Sequence, residues 1–158
     1  MPILVNDTEI TDEQVFREMQ HHPATDREAA MQMAAEALTI RELLLQAFVR
    51  EGLGEREVDE EGDPLADDGR IQSLLDKMIQ VPAVTEEDTR RYFENNKASF
   101  AARSGSGEPL YEDMREAITA FLSETSWRTA TQQYIKILAG RARLAGIDLE
   151  AADSPLVR

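Results

Sequence analysis

Few residues of this sequence have the type and spacing that chemistry requires. The two histidines, His21 and His22, are adjacent. Neighbouring side chains on a helix point about 100° apart, so this pair cannot chelate one metal ion as histidines four residues apart can. We interpret them as helix-end histidines, which favour the negative end of the helix dipole. Ser104 and Ser106 lie among glycines with no histidine near them in the sequence to act as a base, and we predict no catalytic residue there.

The acidic stretch EREVDEEGDPLADD, residues 55–68, is superficially similar to a calcium-binding loop. Calcium loops carry oxygen ligands at alternating positions, followed by a glycine that permits a sharp turn. If Asp59 were the first ligand, Pro64 would stand at the position of that glycine. We therefore predict a solvated acidic loop. No metal site and no cofactor are predicted in this sequence.

The composition limits the classes of function that the chain can have. Its 158 residues contain no cysteine, which excludes disulfide bonds, thiolate metal sites and a thiol nucleophile. The 17 basic and 31 acidic residues give a net charge of -14, which repels nucleic-acid phosphates and anionic lipid surfaces. No run approaches the ~18 apolar residues of a membrane span, and no signal segment is recognisable. We predict a single cytoplasmic domain that binds neither nucleic acid nor membrane.

The pattern of caps and apolar residues predicts an all-α, mainly helical fold. Threonines followed three residues later by an acceptor side chain predict three helix starts, at Thr11, Thr25 and Thr85. Over residues 26–51, one apolar stripe recurs at spacings of three and four and ends before Gly52. Further helices are predicted from Gly69 to before Pro82, from Glu86 to Lys97, and from Pro109 to Gly146.

The two ends of the chain are predicted to pair as short extended segments. Apolar and β-branched residues flank Asn6 and Asp7, a pair that tolerates turn geometry, and residues 147–149 form the second segment. The long last helix has an unusual apolar surface, because Phe121 and Trp127 lie about 120° apart around its axis. Its two apolar stripes therefore face different neighbours, which are either two parts of this chain or two chains.

These features resemble the helical chaperone region of parvulin-type prolyl isomerases related to SurA, PrsA and the nitrogenase maturation factor NifM. The segment VTEEDTRRYFENNKASF, residues 84–100, is similar to the part of those proteins that leads into the isomerase domain. The opening ILVNDTEIT resembles their first strand and turn, and MQMAAEALTIRELLLQAFVREGL resembles their long second helix. The segment that starts at Pro109 resembles the helix that follows the isomerase domain and packs back on the N-terminal region.

The sequence departs from that family where the isomerase domain would begin. Phe100 is followed by AARSGSGE and then by the helix that opens at Pro109, so no residue matches a catalytic position of the family. Ser-Gly-Ser-Gly is a flexible linker, typical of a chain closed after a domain has been removed, and a natural short loop is the alternative. We predict one discontinuous helical domain, residues 1–100 and 109–158, with a linker at residues 101–108 and without enzyme activity.

The resemblance implies an ATP-independent chaperone that binds unfolded or extended client polypeptide in an apolar helical groove. Methionine side chains, which adapt to varied apolar partners, and aromatic side chains lie along the predicted helices. The residues expected to line the groove are Met33, Phe48, Met114, Phe121, Trp127 and Tyr134. The alternative is a structural dimerisation module, a homodimer in which the last helix is exchanged between two chains.

Overall fold

A computed structural model of the protein describes residues 2–56, 64–104, 107 and 109–149. Helices make up most of this described part, so the prediction of a mainly helical fold is confirmed. The strands are β1 (Ile3–Val5), β2 (Thr8–Ile10) and β3 (Leu144–Ala145). The helices are α1 (Asp12–Glu18), α2 (Arg27–Arg50), α3 (Pro64–Met78), α4 (Glu86–Asn95), α5 (Lys97–Ser104) and α6 (Tyr111–Arg141), and a 3-10 turn, Met19–His21, follows α1.

Contacts within the chain define two compact units. The first unit comprises Met1–Ile79 together with Thr131–Arg158, and the second comprises Gln80–Ala130. The division falls within the sequence of α6. The single domain and its linker at residues 101–108 stay a prediction, and residues 105, 106 and 108 of that linker lie outside the described residues.

The first unit contains an antiparallel sheet with the strand order β2-β1-β3. β1 and β2 form a hairpin in which Ile3 lies opposite Ile10. The chain turns at Asn6 and Asp7, as the sequence predicts. Asn6 has a φ of 56°, a left-handed conformation that asparagine tolerates better than most residues. The hairpin therefore depends on a residue type suited to that turn.

The short strand β3 joins the C-terminal part of the chain to its start. Leu144 and Ala145 pair with β1, which confirms the predicted pairing of N-terminal and C-terminal segments. The paired residues are not 147–149, however. Gly146 explains this difference, because its φ of 82° takes the backbone out of the extended conformation immediately after β3.

Helix α2 forms the centre of the first unit. It packs against α1, α3 and β1, and the predicted apolar stripe is buried from Ala37 onward. Side chains that this unit encloses completely include Val5, Ile40, Leu44, Leu45 and Leu74. The helix ends at Arg50, and Gly52, with a φ of 73°, supplies the left-handed residue that closes it. The predicted extent of this helix is therefore correct to within one residue at each end.

The helix caps of the first unit follow the predictions in one case of two. The Thr11 hydroxyl accepts a hydrogen bond from the N–H of Gln14 at 3.2 Å, and the Gln14 side chain accepts one from the N–H of Thr11 at 2.8 Å. Helix α2 is capped by Asp26, whose carboxylate accepts from the N–H of Ala29 at 2.7 Å, and not by Thr25. A carboxylate at the positive end of a helix is stabilised by the dipole as well as by the hydrogen bond, so the cap lies one residue later.

Helix α3 begins earlier than the sequence pattern predicts. It starts at Pro64, within the stretch interpreted as an acidic loop, and Gly69 lies inside it. Proline is favoured in the first turn of a helix. Asp67 and Arg70, one turn apart, form an ion pair at 2.9 Å that supports the same turn. Residues 57–63, the rest of the predicted loop, lie outside the described residues.

The second unit is built from α4, α5 and the first part of α6. Thr85 and Asp88 form the predicted capping box at the start of α4, with bonds of 3.1 and 3.2 Å. The helix predicted to continue to Lys97 is interrupted at Asn96. The backbone of Asn96 leaves the helical conformation with a φ of -120°, and its side chain donates to the C=O of Tyr92 at 2.8 Å. A separate helix, α5, then follows.

Helix α6 is shorter at its C-terminal end than predicted, because it ends at Arg141 and does not reach Gly146. Asn6 provides the reason within the first unit. Its N–H donates to the C=O of Arg143 at 2.8 Å, and its side-chain oxygen accepts from the N–H of Arg143 at 3.0 Å. The backbone of Arg143 is therefore bonded to the hairpin turn and not to the preceding helical turn.

Candidate functional site

Aromatic side chains from α4, α5 and α6 pack together within the second unit. This aromatic cluster consists of Tyr92, Phe93, Phe100, Tyr111 and Phe121. The rings of Phe93 and Phe100 are stacked, with their centroids 5.9 Å apart. The rings of Phe93 and Tyr111 form a T-shaped pair, with their centroids 5.6 Å apart. The centroid of the Tyr92 ring lies 6.2 Å from that of Phe100 and 5.5 Å from that of Phe121. Aromatic pairs attract each other in these geometries, so the cluster holds three helical segments of this unit together.

Polar contacts fix Tyr111, the first residue of α6, against α4. The buried hydroxyl of Thr89 donates to the C=O of Glu86 at 2.8 Å and lies 2.7 Å from the hydroxyl of Tyr111. Since the hydrogen of Thr89 is used on the carbonyl, Tyr111 is the donor between the two hydroxyls. The guanidinium of Arg90 lies 4.5 Å from the centroid of the Tyr111 ring, within cation–π distance. The tyrosine is thus held by its hydroxyl and by the contacts of its ring with Phe93 and Arg90.

An open pocket of about 460 Å³ adjoins the aromatic cluster at Tyr92, and we call it the Tyr92 pocket. It is lined by Pro82, Ala83, Val84, Asp88, Arg91, Tyr92, Asn95, Leu122 and Ser126. Most of this lining is apolar. The two charged residues already have partners, because Asp88 caps α4 and Arg91 pairs with Glu87 at 3.1 Å. The pocket falls in the size range of sites that bind small ligands or a few side chains.

The cap of α4 also keeps one carboxylate of the Tyr92 pocket ionised. A hydrogen bond from the backbone of Thr85, and then one with its side chain, lower the pKa of Asp88 below the ordinary value of 3.8. These bonds favour the charged form, because an ionised carboxylate is the better acceptor. Asp88 therefore presents a fixed negative charge at the rim of the pocket at neutral pH.

The residues predicted to line a groove are divided between the two units. Met33, Phe48 and Tyr134 belong to the first unit, and Met114, Phe121 and Trp127 belong to the second. Within the second unit, Phe121 joins the aromatic cluster through Tyr92 and leaves half of its surface exposed. Met114 and Trp127 are half-buried on the same helix. Their binding of a polypeptide stays a prediction.

In the first unit, Phe48 is 6% exposed and packs against the chain that leaves α2. A side chain on Gly54 would approach its ring to 3.1 Å. Phe48 therefore contributes to the core and offers almost no surface to a ligand. Met33 is half-buried on α2, and Tyr134 is half-buried on α6. Burial, followed by the negative charge of Glu51, raises the pKa of Tyr134 above its ordinary value.

Sequence reasoning missed several residues that line the Tyr92 pocket. Tyr92 itself carried a signal, since it adjoins the buried Phe93 and so lies at the edge of the apolar face of α4. A tyrosine in that position keeps its ring packed and its hydroxyl in water. Residues 82–84 carried no such signal, because they have no regular structure and only tertiary packing brings them to Leu122.

The part of the chain that the structure describes contains neither a metal site nor a membrane-spanning helix. Across residues 2–56, 64–104, 107 and 109–149, no group of three or more histidine and carboxylate side chains is placed to hold a metal ion. Among the helices described, none combines the length and the apolar character needed to cross a membrane.

Neither protein-family models nor curated proteins nor solved structures gave a match when compared with the chain. A functional assignment therefore depends on the residues of the chain and on their geometry. The feature with the clearest capacity for binding is the Tyr92 pocket together with the exposed ring of Phe121.

Proposed function

We propose that this chain holds unfolded or extended polypeptide segments at the Tyr92 pocket and the adjoining Phe121, without nucleotide and without catalysis. The observation that carries this proposal is the position of Phe121. Its ring packs 5.5 Å from Tyr92, which lines the pocket, while 50% of its surface is exposed. An exposed aromatic ring beside an apolar pocket is typical of a surface that binds another polypeptide.

The exposed half of Phe121 supplies a driving force for binding. A phenylalanine side chain presents roughly 200 Å², so about half of that area remains open to water. Covering it would contribute about 2.5 kcal/mol at ~25 cal/mol per Å², before the entropic cost of ordering a client. Side chains inserted beside Leu122 and Val84 would add to this contribution. Holding therefore needs only short apolar segments of a client.

Polar groups at the rim of the pocket suit an extended backbone. The side chains of Asn95 and Ser126 line the pocket and are exposed, and neither has a hydrogen-bond partner among the described residues. An amide and a hydroxyl can each donate and accept hydrogen bonds, as a peptide backbone requires. Together with the apolar lining, they favour a polypeptide over a purely hydrocarbon ligand.

The resemblance to the chaperone region of parvulin-type isomerases supports the same function. Holding is expected to be independent of ATP, because the sequence has no glycine-rich phosphate loop. It is expected to be non-catalytic, because the segment after Phe100 lacks the residues of the isomerase domain. The net charge of -14 favours solubility of a protein with exposed apolar surface and favours clients with basic segments.

Binding of a fluorescent, permanently unfolded polypeptide tests this proposal. We expect Phe121→Ala to weaken binding by about 5- to 30-fold, the effect of removing an interface hot spot of 1–2 kcal/mol. Ile137→Ala is the matched control, because Ile137 lies on the same helix, in the first unit, and is also 50% exposed. It should bind the polypeptide as the unaltered chain does.

The outcomes separate the site from the function. If the unaltered chain fails to bind any unfolded polypeptide or to suppress its aggregation, the holding function is wrong. If both variants bind equally well, clients are held elsewhere and the Tyr92 pocket is not the site. A proline-limited refolding assay should show no acceleration by this chain, and acceleration would contradict the non-catalytic role.

A dimerisation module remains the second candidate, and exposed apolar residues at α6 favour it. Leu110, which precedes α6, is 64% exposed, and Phe121 is 50% exposed. A second copy of the chain could cover both. Light scattering over a range of concentrations discriminates between the candidates. A constant monomer mass removes dimerisation, whereas a dimer that Phe121→Ala dissociates would favour it over client holding.

A further inference from the structure

The first unit contains a cavity of a different character from the Tyr92 pocket. It has a volume of about 410 Å³ and lies where the hairpin turn meets the C-terminal ends of α2 and α6. Polar side chains predominate in its lining, which consists of Asn6, Leu43, Gln46, Arg50, Leu138, Arg141 and Ala142. We call it the arginine cavity.

The two amide side chains of the arginine cavity are fixed by hydrogen bonds. Asn6 donates to the side-chain oxygen of Gln46 at 2.7 Å, and Gln46 donates to the C=O of Val5 at 3.1 Å. Asn6 also accepts from the N–H of Arg143. The amides are therefore committed to holding the hairpin against α2 and the end of α6. They shape the cavity, and a ligand would be recognised by the other side chains that line it.

The two arginines that line the cavity differ from its amides, because their side chains make no hydrogen bond or ion pair among the described residues. These two, Arg50 and Arg141, are exposed residues. Arg143, which lies close by in the sequence, is paired with Asp7 at 3.1 Å. In a chain with a net charge of -14, two arginines without carboxylate partners at one cavity form an unusual local excess of positive charge.

The end of α2 does not require the guanidinium of Arg50 as a cap. Of its last carbonyls, that of Phe48 accepts from the N–H of Leu53 at 3.2 Å, and that of Val49 accepts from the N–H of Gly52 at 3.0 Å. Lys77 donates to the C=O of Glu51, the residue that follows α2, at 3.0 Å. Backbone and lysine groups thus satisfy these three carbonyls. The charge of Arg50 is left for a ligand in the cavity.

We propose that the arginine cavity binds a small oxyanion, a phosphate or a carboxylate, between the guanidinium groups of Arg50 and Arg141. Guanidinium forks match the paired oxygens of both ligand classes. The site belongs to the first unit and does not depend on client holding at the Tyr92 pocket. Because both arginines are exposed, we expect a dissociation constant on the order of 1 mM that rises with ionic strength.

Titration of the ¹⁵N-labelled chain with inorganic phosphate or with N-acetyl-alanine tests the site. N-acetyl-alanine carries a terminal carboxylate like that of a peptide, and sodium chloride keeps the ionic strength constant. We expect saturable shifts of the backbone amides of Asn6 and Arg143. Saturation by phosphate alone identifies a phosphate site, and saturation by N-acetyl-alanine alone identifies a carboxylate site. The absence of saturation with both probes overturns the proposal.

Charge-removing variants test the assigned residues. Arg50→Gln and Arg141→Gln, made singly, should each weaken binding at least tenfold and keep a folded spectrum, because both side chains are exposed. Arg128→Gln is the matched control, since Arg128 lies on the same helix and is paired with Glu124 at 3.0 Å. If Arg50→Gln and Arg141→Gln bind as tightly as Arg128→Gln, the oxyanion is held by other groups and the proposal fails.

Discussion

Two phenylalanines of the aromatic cluster show how residues of one type serve different purposes. Phe93 is 4% exposed and contacts Phe100 and Tyr111, so its surface is used within the protein. Phe121 is 50% exposed and contacts Tyr92 alone among the described aromatic rings. Removing Phe93 would open a cavity in the unit. Removing Phe121 would chiefly take away surface available to a partner, which makes it the informative residue to substitute.

The capping box of α4 predicts a defined pH dependence at one residue. Since Thr85 lowers the pKa of Asp88 in the folded chain below 3.8, the charged carboxylate stabilises the folded state. This stabilisation is complete above the pKa of the unfolded chain, about pH 4, and is lost as the pH falls through the lower folded pKa. Carboxyl-carbon NMR should give a midpoint below 3.8 for Asp88.

An Asp88→Asn variant is the control for this titration. It keeps a side-chain oxygen that can accept from Thr85 but has no proton to gain in acid. The difference in melting temperature between the two chains should therefore shrink as the pH is lowered. A titration midpoint at or above 3.8 would show that the box does not stabilise the charged carboxylate.

Helices α2 and α6 show how packing decides the role of an amphipathic element. α2 has neighbours on several sides and buries residues from Ala34, in its third turn, to Phe48 near its end. α6 is longer, yet Phe121 and Ile137 on it are half exposed. A long helix with large apolar residues left open is suited to contact further polypeptide. The proposed binding surface therefore lies on α6 and not on α2.

The central role of α2 predicts a contrast between two of its apolar residues. Leu44 is fully buried, whereas Val49 is 44% exposed. Leu44→Ala should lower the free energy of unfolding by about 3 kcal/mol, because it leaves a cavity in a packed core. Val49→Ala should change it by no more than about 0.5 kcal/mol. Urea denaturation of both variants measures the difference, and equal effects would contradict the assigned core.

At the scale of the whole chain, the pairing of β3 with β1 brings the C-terminal part back to the N-terminal strand. Arg143 and Asn6 bond to each other twice beside this pairing. The first unit is therefore closed by contacts between residues more than 130 positions apart. Such closure carries an entropic cost that rises slowly with the length of the intervening chain. The intervening length of sequence, which includes the second unit, therefore does not prevent this pairing.

Gly146 limits which residue can follow β3. Its φ is 82°, and a Cβ there would lie 3.0 Å from the C=O oxygen of Pro2. Gly146→Ala should therefore lower the free energy of unfolding by about 2 kcal/mol, from backbone strain and the close contact. Denaturation and the loss of the β1 amide protection measure this effect.

Gly69→Ala is the matched control for that substitution. Gly69 lies inside α3, and a Cβ there would have no neighbour within 4 Å. Alanine is the better helix former, so this variant should gain about 0.5–1 kcal/mol. Destabilisation by both substitutions would mean that the geometry around Gly146 is not the cause.

The elements predicted correctly are those whose signals lie close together in the sequence. The Thr11 and Thr85 caps, the Asn6 turn and the extent of α2 each depend on residues within a few positions of one another. The errors at the start of α3 and the end of α6 have different origins. At the start of α3 a local signal, the ion pair between Asp67 and Arg70, was overlooked. At the end of α6 the cause is distant, because Asn6 bonds the backbone of Arg143.

The sequence by itself determined that the chain is mainly helical, where α1, α2 and α4 begin to within one residue, that an N-terminal and a C-terminal segment pair, and that its charge is strongly negative. These properties follow from local backbone preferences, caps and composition. Only the tertiary structure decided which apolar residues are enclosed and which are left open. Burial depends on neighbours supplied by distant segments, so Phe48 lies in the core, Phe121 stays half exposed beside the Tyr92 pocket, and Arg50 and Arg141 line one cavity from two helices.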